Sequence, residues 1–556
     1  MNMRRLIAFT FLVLLSFSVA SRADSPAANS LISANDHGDI VLRAMLAELR
    51  RSQEKLQLGQ LERPYYIDYQ VTEIQDYTAD AELGAMRSDQ LNAGRLVRVV
   101  VRIGDYKQDS YYGEGQGTLE VLPMDNNEPA LRHQLWLATD KAYKAALSGY
   151  TEKQAALKNV QIEGDMADVP DFSREKPSEF VRDLARLGVN LDQWKQTLRT
   201  TSDLFRLDPD LESSDAGLRF RVLNRYYVNT EGTVKRDGQA QYIYSFSGSA
   251  QAADGMRIDR SHAYVVARPE ELPKPQEIEK DAKEMIGTFA RLRRAPVMED
   301  DYHGPVLFSA DAATAMFESL IVRNILGVRP ELGNSARTSG DFASYYKGRV
   351  LPDFFTVLDD PRSAKREGLT LMGDYAVDDE GVVAQPVTLI DKGVLVNYLL
   401  DREPIKDFPH SNGHGRSALA AAPRPQISNL IFKASNGVPF EDLKKKLIQM
   451  CKDQGRPYAY YVETTGVRVT PRLLWRVYAD DGRMELVRGA VFNQLDVRSL
   501  RNGIIAAGND EYVYNRTEPL SSAIVAPSLL FDDLELQRVN RSKEKLPTYP
   551  APPLTK

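Results

Sequence analysis

The sequence predicts an α+β protein of several domains, with an N-terminal α/β region and a β-rich C-terminal domain. Three observations predict this. The chain has 556 residues, more than a single hydrophobic core holds. Up to about residue 296, stretches of helical periodicity and of two-residue alternation follow one another. From "YHGPVLFS" (302–309) onward, strand patterns dominate. Composition is that of an ordinary globular chain, 43% hydrophobic and 27% charged. A net charge of −6 with no long basic run argues against a nucleic-acid surface.

The elements follow in order. "MNMRR" and the apolar run "LIAFTFLVLLSFSV" precede small residues, with Ala20 or Ala23 as the last residue before cleavage. This is the pattern of a secretory signal peptide over 1–23. The run is shorter than the ~20 residues that span a bilayer. The expected location is therefore exported, periplasmic or extracellular. A helix then carries Val41, Leu42, Met45, Leu46 and Leu49 on one face, and strands follow at "PYYIDYQVTEIQDYTAD" and "RLVRVVVRIGDY". These make an N-terminal α+β domain over 36–120. A middle helix and strand domain covers 121–296. In it, 127–200 reads as largely helical, "GLRFRVLNRYYVNTEGTVKRDG" as a hairpin, and "PQEIEKDAKEMIGTFARLRRAP" as a closing helix. The C-terminal domain spans 300–538 and holds two helices among its strands. A Pro- and Lys-rich tail over 539–556 reads as disordered.

The single cysteine, Cys451, excludes an intramolecular disulfide. It shares a helical face with Leu443 and Leu447 and reads as a core thiol. No phosphate-binding Gly-rich loop, G-x-S-x-G elbow or H-E-x-x-H pair is present. Of six histidines, only His410 and His414 are close in sequence, in a Gly-containing loop. Two imidazoles alone do not make a zinc site, and a loop that packs or contacts a ligand is the expectation. The acidic runs "DDPRS" (359–363), "VDDEG" (377–381) and "GNDEY" (508–512) read as solvated turns.

The C-terminal third carries a resemblance. "ASYYKGRVLPDFFTVLDDP", "LMGDYAVDDEGVVAQPVTLIDKGVLVNYLLDR", "SNGHGRSALAAAPRPQISNL", "ELVRGA", "GND" and "VAPSLLFDDLEL" occur in this order over about 300–538. Their order and spacing resemble the TldD/PmbA family of peptidases. The resemblance implies two kinds of member. One bears a His-Glu-x-x-x-His helix and a later Cys as zinc ligands. The other lacks them and pairs with the first. Family members act in degrading unfolded peptides or processing peptide precursors.

On "TAMFESLIVRN" (314–324), the resemblance puts Phe317 and Val322 at the two His positions and Glu318 at the Glu. No Cys follows "GND". The resemblance thus implies no metal ligand at these positions and no cofactor for this chain, although catalytic relatives hold zinc. Glu318 is the one candidate for a residual catalytic role. Its alternative is structural, paired with an arginine such as Arg323. Phe317, Leu320 and Ile321 form the apolar face. His410, His414 and Arg416 are candidates for contacting substrate.

The implied function is that of an exported, non-catalytic subunit that pairs with a zinc-bearing TldD-like paralogue, or forms a homodimer, in peptide proteolysis. Two alternatives stand beside it. One is an active peptidase with displaced ligands drawn from His303, His410 or His414. The other is a peptide-binding envelope scaffold.

Overall fold

The computed structural model describes residues 38–159 and 168–539, together with Pro552. The signal peptide expected over 1–23 lies outside the described residues, as does the expected tail apart from Val539 and Pro552. Among the described residues no helix is long and apolar enough to cross a membrane.

The N-terminal region is built on one large sheet. In chain order its elements are α1 (Ile40–Lys55), β1 (Tyr66–Glu82), β2 (Ala85–Arg102), β3 (Thr118–Val121), α2 (Glu128–Asn159), β4 (Glu179–Val181), α3 (Leu191–Asp203), β5 (Leu211–Asn229), β6 (Val234–Gln251), β7 (Arg257–Val266) and α4 (Pro275–Arg294). The strand order is β3-β2-β1-β5-β6-β4, with β7 also paired to β6. The segments expected as separate domains, 36–120 and 121–296, therefore share a sheet. β1 and β5 join them, antiparallel from Asp68↔Asn229 to Ala81↔Ala216.

The helical stretch expected over 127–200 is two helices with the short strand β4 between them. Asn190 breaks it: its side chain accepts from Gln193 N and caps α3. α1 starts in the same way, at Asp39, which accepts from Val41 N and Leu42 N.

Strand alternation gives this sheet two different faces. Ile67, Tyr69 and Val71 of β1, with Val97, Val99 and Val101 of β2, point to α1 and α2 and form one core. Further along the same face, Tyr77, Phe220, Tyr244 and Phe246 pack with Ile278, Ala282 and Phe289 of α4. The opposite face carries Asp68, Gln70 and Thr72 of β1, Arg221 and Arg225 of β5, and Lys235 and Gln241 of β6. All are buried.

The C-terminal domain covers that polar face. Its elements are β8 (Tyr302–Phe308), α5 (Ala310–Leu320), β9 (Phe355–Asp359), β10 (Val387–Asp391), β11 (Val394–Leu395), β12 (Asn429–Ala434), α6 (Phe440–Asp453), β13 (Tyr458–Thr465), β14 (Pro471–Tyr478), β15 (Met484–Val487), β16 (Ala490–Phe492), α7 (Val497–Gly503), β17 (Ile504–Ala507), β18 (Tyr512–Arg516), β19 (Ser522–Ala526) and β20 (Leu529–Arg538), with two-residue pairs between. They form a six-stranded sheet, β11-β10-β9-β12-β19-β18, and a seven-stranded one, β15-β14-β13-β8-β20-β16, with β17 on β20. Residues of both sheets and of α5 share one core, including Phe308, Met316, Phe317, Phe355, Phe432 and Val462. The expected helices are present, at α5 and α6, and α7 adds a third. Cys451 is buried on α6 beside Leu443 and Leu447, and its Sγ donates to Arg456 O at 3.2 Å.

The two parts meet through polar contacts. Thr72 Oγ1 donates to Leu419 O at 3.1 Å. Gln241 Nε2 donates to Ser521 Oγ at 2.6 Å. Arg402, with no exposed surface, donates to Tyr66 Oη at 3.2 Å and to Ser173 O, and pairs with Glu231 at 2.8 Å. Its guanidinium also lies 4.0 Å over the Phe172 ring.

Candidate functional site

The helix singled out in the sequence is α5. Ser309 caps it, accepting from Ala312 N at 3.0 Å and donating through Oγ to Glu463 O at 2.6 Å. The α-helix ends at Leu320, and Val322–Asn324 form a single tighter turn. Phe317 and Ile321 are fully buried, and Leu320 packs against the same core.

The Phe317 ring lies parallel to Phe432, centroids 3.9 Å apart and planes 4° from parallel. Phe355 meets it edge-on at 6.1 Å. Val322 packs against that core too. Neither side chain offers an N, O or S donor, and the Phe317–Phe432 stack fills the space beside the helix with carbon.

Glu318 pairs with Arg516 of β18, Oε1 to Nε at 2.9 Å. The expected partner, Arg323, instead pairs with Asp341 at 2.9 Å on the surface. The reason is geometric. Arg323 is five residues past Glu318, beyond the last α-helical residue, and a separation of three or four is needed to share a helix face. One carboxylate neutralised by an arginine does not hold zinc, which takes three or four donors. The residues at 317, 318 and 322 thus do not fit the ion that the family motif holds. Among the described residues, no three His, Cys, Asp or Glu side chains are grouped so as to bind a metal.

The histidines occupy three separate settings. His303 on β8 is largely exposed, its Nε2 3.9 Å from Glu535. His410 is exposed, with Nδ1 3.6 Å from Glu175. His414 is completely buried. Its Nε2 lies 3.1 Å from Asp359 Oδ1, and its Nδ1 faces Asn412 O at 3.1 Å. Asp359 also accepts from Ser428 N and Ser428 Oγ. Of the three candidates for substrate contact, only His410 is open to solvent. Arg416 is buried, stacked 4.0 Å over Tyr375, with its Nε 3.5 Å from Asp379.

The run "VDDEG" corrects the expectation of a solvated turn: Asp378 and Asp379 are buried. So is Asp359 of "DDPRS". Backbone N–H groups make this burial tolerable. Asp378 accepts from Val382 N at 2.8 Å, Glu380 N at 3.0 Å and Gly415 N at 3.0 Å. A Cβ on Gly415 would stand 2.3 Å from Glu380 Oε2, so a larger residue there would displace that carboxylate. Asp379 accepts from Lys235 Nζ at 3.0 Å and Ser417 N at 2.8 Å.

The electrostatics divide these acids. Burial pushes Asp378 up to about 6, with the Asp379 charge adding to it. Burial and then the Asp378 charge push Glu380 up to about 8. Burial opposes the Asp379 carboxylate as well, but the cations of Lys235, Arg225 and Arg416 overcome it and hold Asp379 below its usual range. The arrangement holds charge at the seam between the two parts.

Reading the sequence for motifs missed this seam. A signal for it is present. In "VKRDGQAQY" polar residues recur at every second position, and in "RVLNRYYVN" they do so apart from Leu223, placing Arg221, Arg225, Lys235, Asp237, Gln239 and Gln241 on one face.

Comparison with known proteins agrees with this architecture. Residues 301–538 match the PmbA/TldA metallopeptidase C-terminal domain. Three solved structures share the fold. TldE from Thermococcus kodakarensis is 14% identical, with TM-score 0.60, over 89% of this chain and 100% of that one. A protein from Thermotoga maritima, described as a candidate modulator of a DNA gyrase, is 15% identical, with TM-score 0.58, over 85% and 96%. One of like description from Bacteroides thetaiotaomicron is 12% identical, with TM-score 0.58, over 91% and 100%. No curated protein gives a significant match.

The C-terminal domain makes this a metallopeptidase-like protein. Residues 301–538 thus carry the PmbA/TldA metallopeptidase C-terminal domain, and the chain as a whole shares the fold of TldE.

Proposed function

We propose that this protein is an exported, non-catalytic member of its family that pairs with a zinc-bearing relative in peptide proteolysis. The observation that carries the proposal is the stack of Phe317 on Phe432. Where the family motif has its first histidine, this chain has a ring built into the core. Glu318 beside it is engaged by Arg516 and has no metal-bound water to act on. The scaffold of the domain is kept while the ligand positions are given over to packing. The N-terminal charged and apolar run supports export to the periplasm or the extracellular space.

The test combines the mature protein with a relative that carries His-Glu-x-x-x-His and is encoded beside it. Co-elution at a fixed ratio, with peptide hydrolysis dependent on the relative's zinc, is expected. Near-stoichiometric zinc in the isolated chain, together with chelator-sensitive hydrolysis by it, would overturn the reading in favour of displaced ligands. A solitary protein that binds peptides without hydrolysis in any mixture would make it a scaffold.

A further inference from the structure

β18 stands at the end of the six-stranded sheet. Strand side chains alternate, so it presents Tyr512, Tyr514 and Arg516 on one face. That face is the one toward α5. The β19 residues opposite Tyr512 and Tyr514 are Ala526 and Ile524, and both belong to the core that α5 shares through Met316 and Phe317. Val513 points the other way, packing with Leu371, Ile431 and Val525. Arg516 fixes the register of strand against helix, because it pairs with Glu318 at 2.9 Å.

Asp311, Ala315 and Glu318 lie at i, i+4 and i+7, one stripe of α5, and all three are half-buried. From Glu318 back to Asp311 the helix runs about 10 Å. From Arg516 back to Tyr512 the strand runs about 13 Å. With Glu318 held on Arg516, Asp311 comes up beside the tyrosines. Electrostatics agree. Partial burial raises both phenols; at Tyr512 the Asp311 charge adds to it, and at Tyr514 first Glu318 and then Asp311 do.

Three groups are left open here. Tyr512 is 41% and Tyr514 38% exposed. The Asp311 carboxylate accepts no hydrogen bond and makes no ion pair among the described residues. The two charges that reach it, Arg260 and Glu463, are opposite in sign, and each is held elsewhere. Arg260 Nη1 donates to Thr464 Oγ1 at 2.9 Å, and Glu463 Oε2 accepts from Trp475 Nε1 at 2.6 Å. Asp311 thus keeps its negative charge beside two aromatic rings, and Ala315 puts only a methyl group between it and Glu318.

We propose that Asp311, Tyr512 and Tyr514 together receive a cationic side chain of a peptide, a lysine ammonium or an arginine guanidinium. The carboxylate supplies the counter-charge, and aromatic rings attract a cation through their negative faces. A neutral or acidic side chain gains neither. Glu318, already paired with Arg516, does not compete for the cation. That the cation arrives on a peptide rests on the proposed role in proteolysis, whereas the site itself is made by this chain alone. Its test needs no partner and can fail while the proposed pairing stands, or the reverse.

Titration calorimetry on the intact mature protein uses blocked tripeptides, N-acetylated and amidated, with lysine, arginine, norleucine or glutamate between two alanines, and choline as a free cation. One lysine or arginine peptide per chain is expected. The norleucine peptide, of like length but uncharged, should bind at least about tenfold more weakly. Asp311→Asn keeps the side chain's shape and should weaken the lysine peptide by a similar factor while leaving the norleucine peptide unchanged. Tyr512→Leu and Tyr514→Leu should each weaken the lysine peptide about two- to fivefold, whereas Tyr512→Phe, which keeps the ring, should not. Circular dichroism confirms the fold of each variant. Equal binding of the norleucine or glutamate peptide, lysine binding unchanged in Asp311→Asn, or no binding at about 10 mM overturns the proposal. Choline bound as tightly as the lysine peptide overturns the peptide as the source and leaves a free cation.

Discussion

Phe317 and Phe432 lie face to face, 3.9 Å apart, at the centre of the core shared by the two C-terminal sheets. The contact ties α5 to β12. Phe317→Ala removes a fully buried ring and leaves a cavity that close-packed neighbours refill only in part. A loss of about 3–5 kcal/mol is expected, read from urea unfolding. A loss under about 1 kcal/mol would mean that the stack contributes little to the core.

Glu318 and Arg516 make a different kind of contact. Both side chains keep some solvent exposure, and pairs of this kind contribute little. Glu318→Gln should cost about 1 kcal/mol or less and leave peptide hydrolysis by an assembled complex unchanged. A collapse of hydrolysis with stability intact would return Glu318 to a catalytic role.

Arg402 is the most enclosed cation at the seam. Arg402→Met keeps much of the side-chain volume but strips Glu231, Tyr66 and Ser173 O of their partner. Unpairing a buried carboxylate typically costs about 3–5 kcal/mol. The expected readout is a lower unfolding midpoint, with limited proteolysis moving to the seam. Combining it with Glu231→Gln should recover part of the loss, since the stranded charge is then gone.

The seam also sets a pH dependence. Glu380 is raised from 4.5 to about 8 and Asp378 from 3.8 to about 6 in the folded protein. Between the unfolded and folded values, the native state binds more protons than the unfolded one. The contribution of these two acids to stability therefore falls as pH rises through that window and levels off above it. Asp379 has the opposite sign: its depressed value stabilises above its ordinary range and that contribution is lost as pH falls through it. Urea midpoints should be lower at about pH 8.5 than at about pH 5, with Glu380→Gln narrowing the difference. An unchanged difference in that variant would remove Glu380 as its source.

The sequence disclosed what depends on local pattern. The alternation in "RLVRVVVRIGDY" and the helical spacing around Cys451 and Phe317 led to β2, α6 and α5, because each buries a face its own residues define. The joining of the first two segments into one sheet was hidden, since β1 and β5 are separated by more than a hundred residues and two helices. Asp378 and Asp379 look like turn residues because the cation that pairs with Asp379, Lys235, comes from another strand 144 positions away. The partner of Glu318 was hidden for the same reason. Nearness in sequence suggested Arg323, but Arg516 arrives on a strand from the far end of the domain.

The polar face of the N-terminal sheet has a consequence for the order of synthesis. Thr72 meets its acceptor 347 residues later, and Gln241 meets Ser521 280 residues later. A growing chain thus completes the sheet long before its cover exists. An apolar face left bare for that interval would be an invitation to aggregate. Aspartate, arginine, lysine and glutamine instead stay hydrated while the rest of the polypeptide emerges. The last step of folding then exchanges water for ions and amides supplied by the end of the chain.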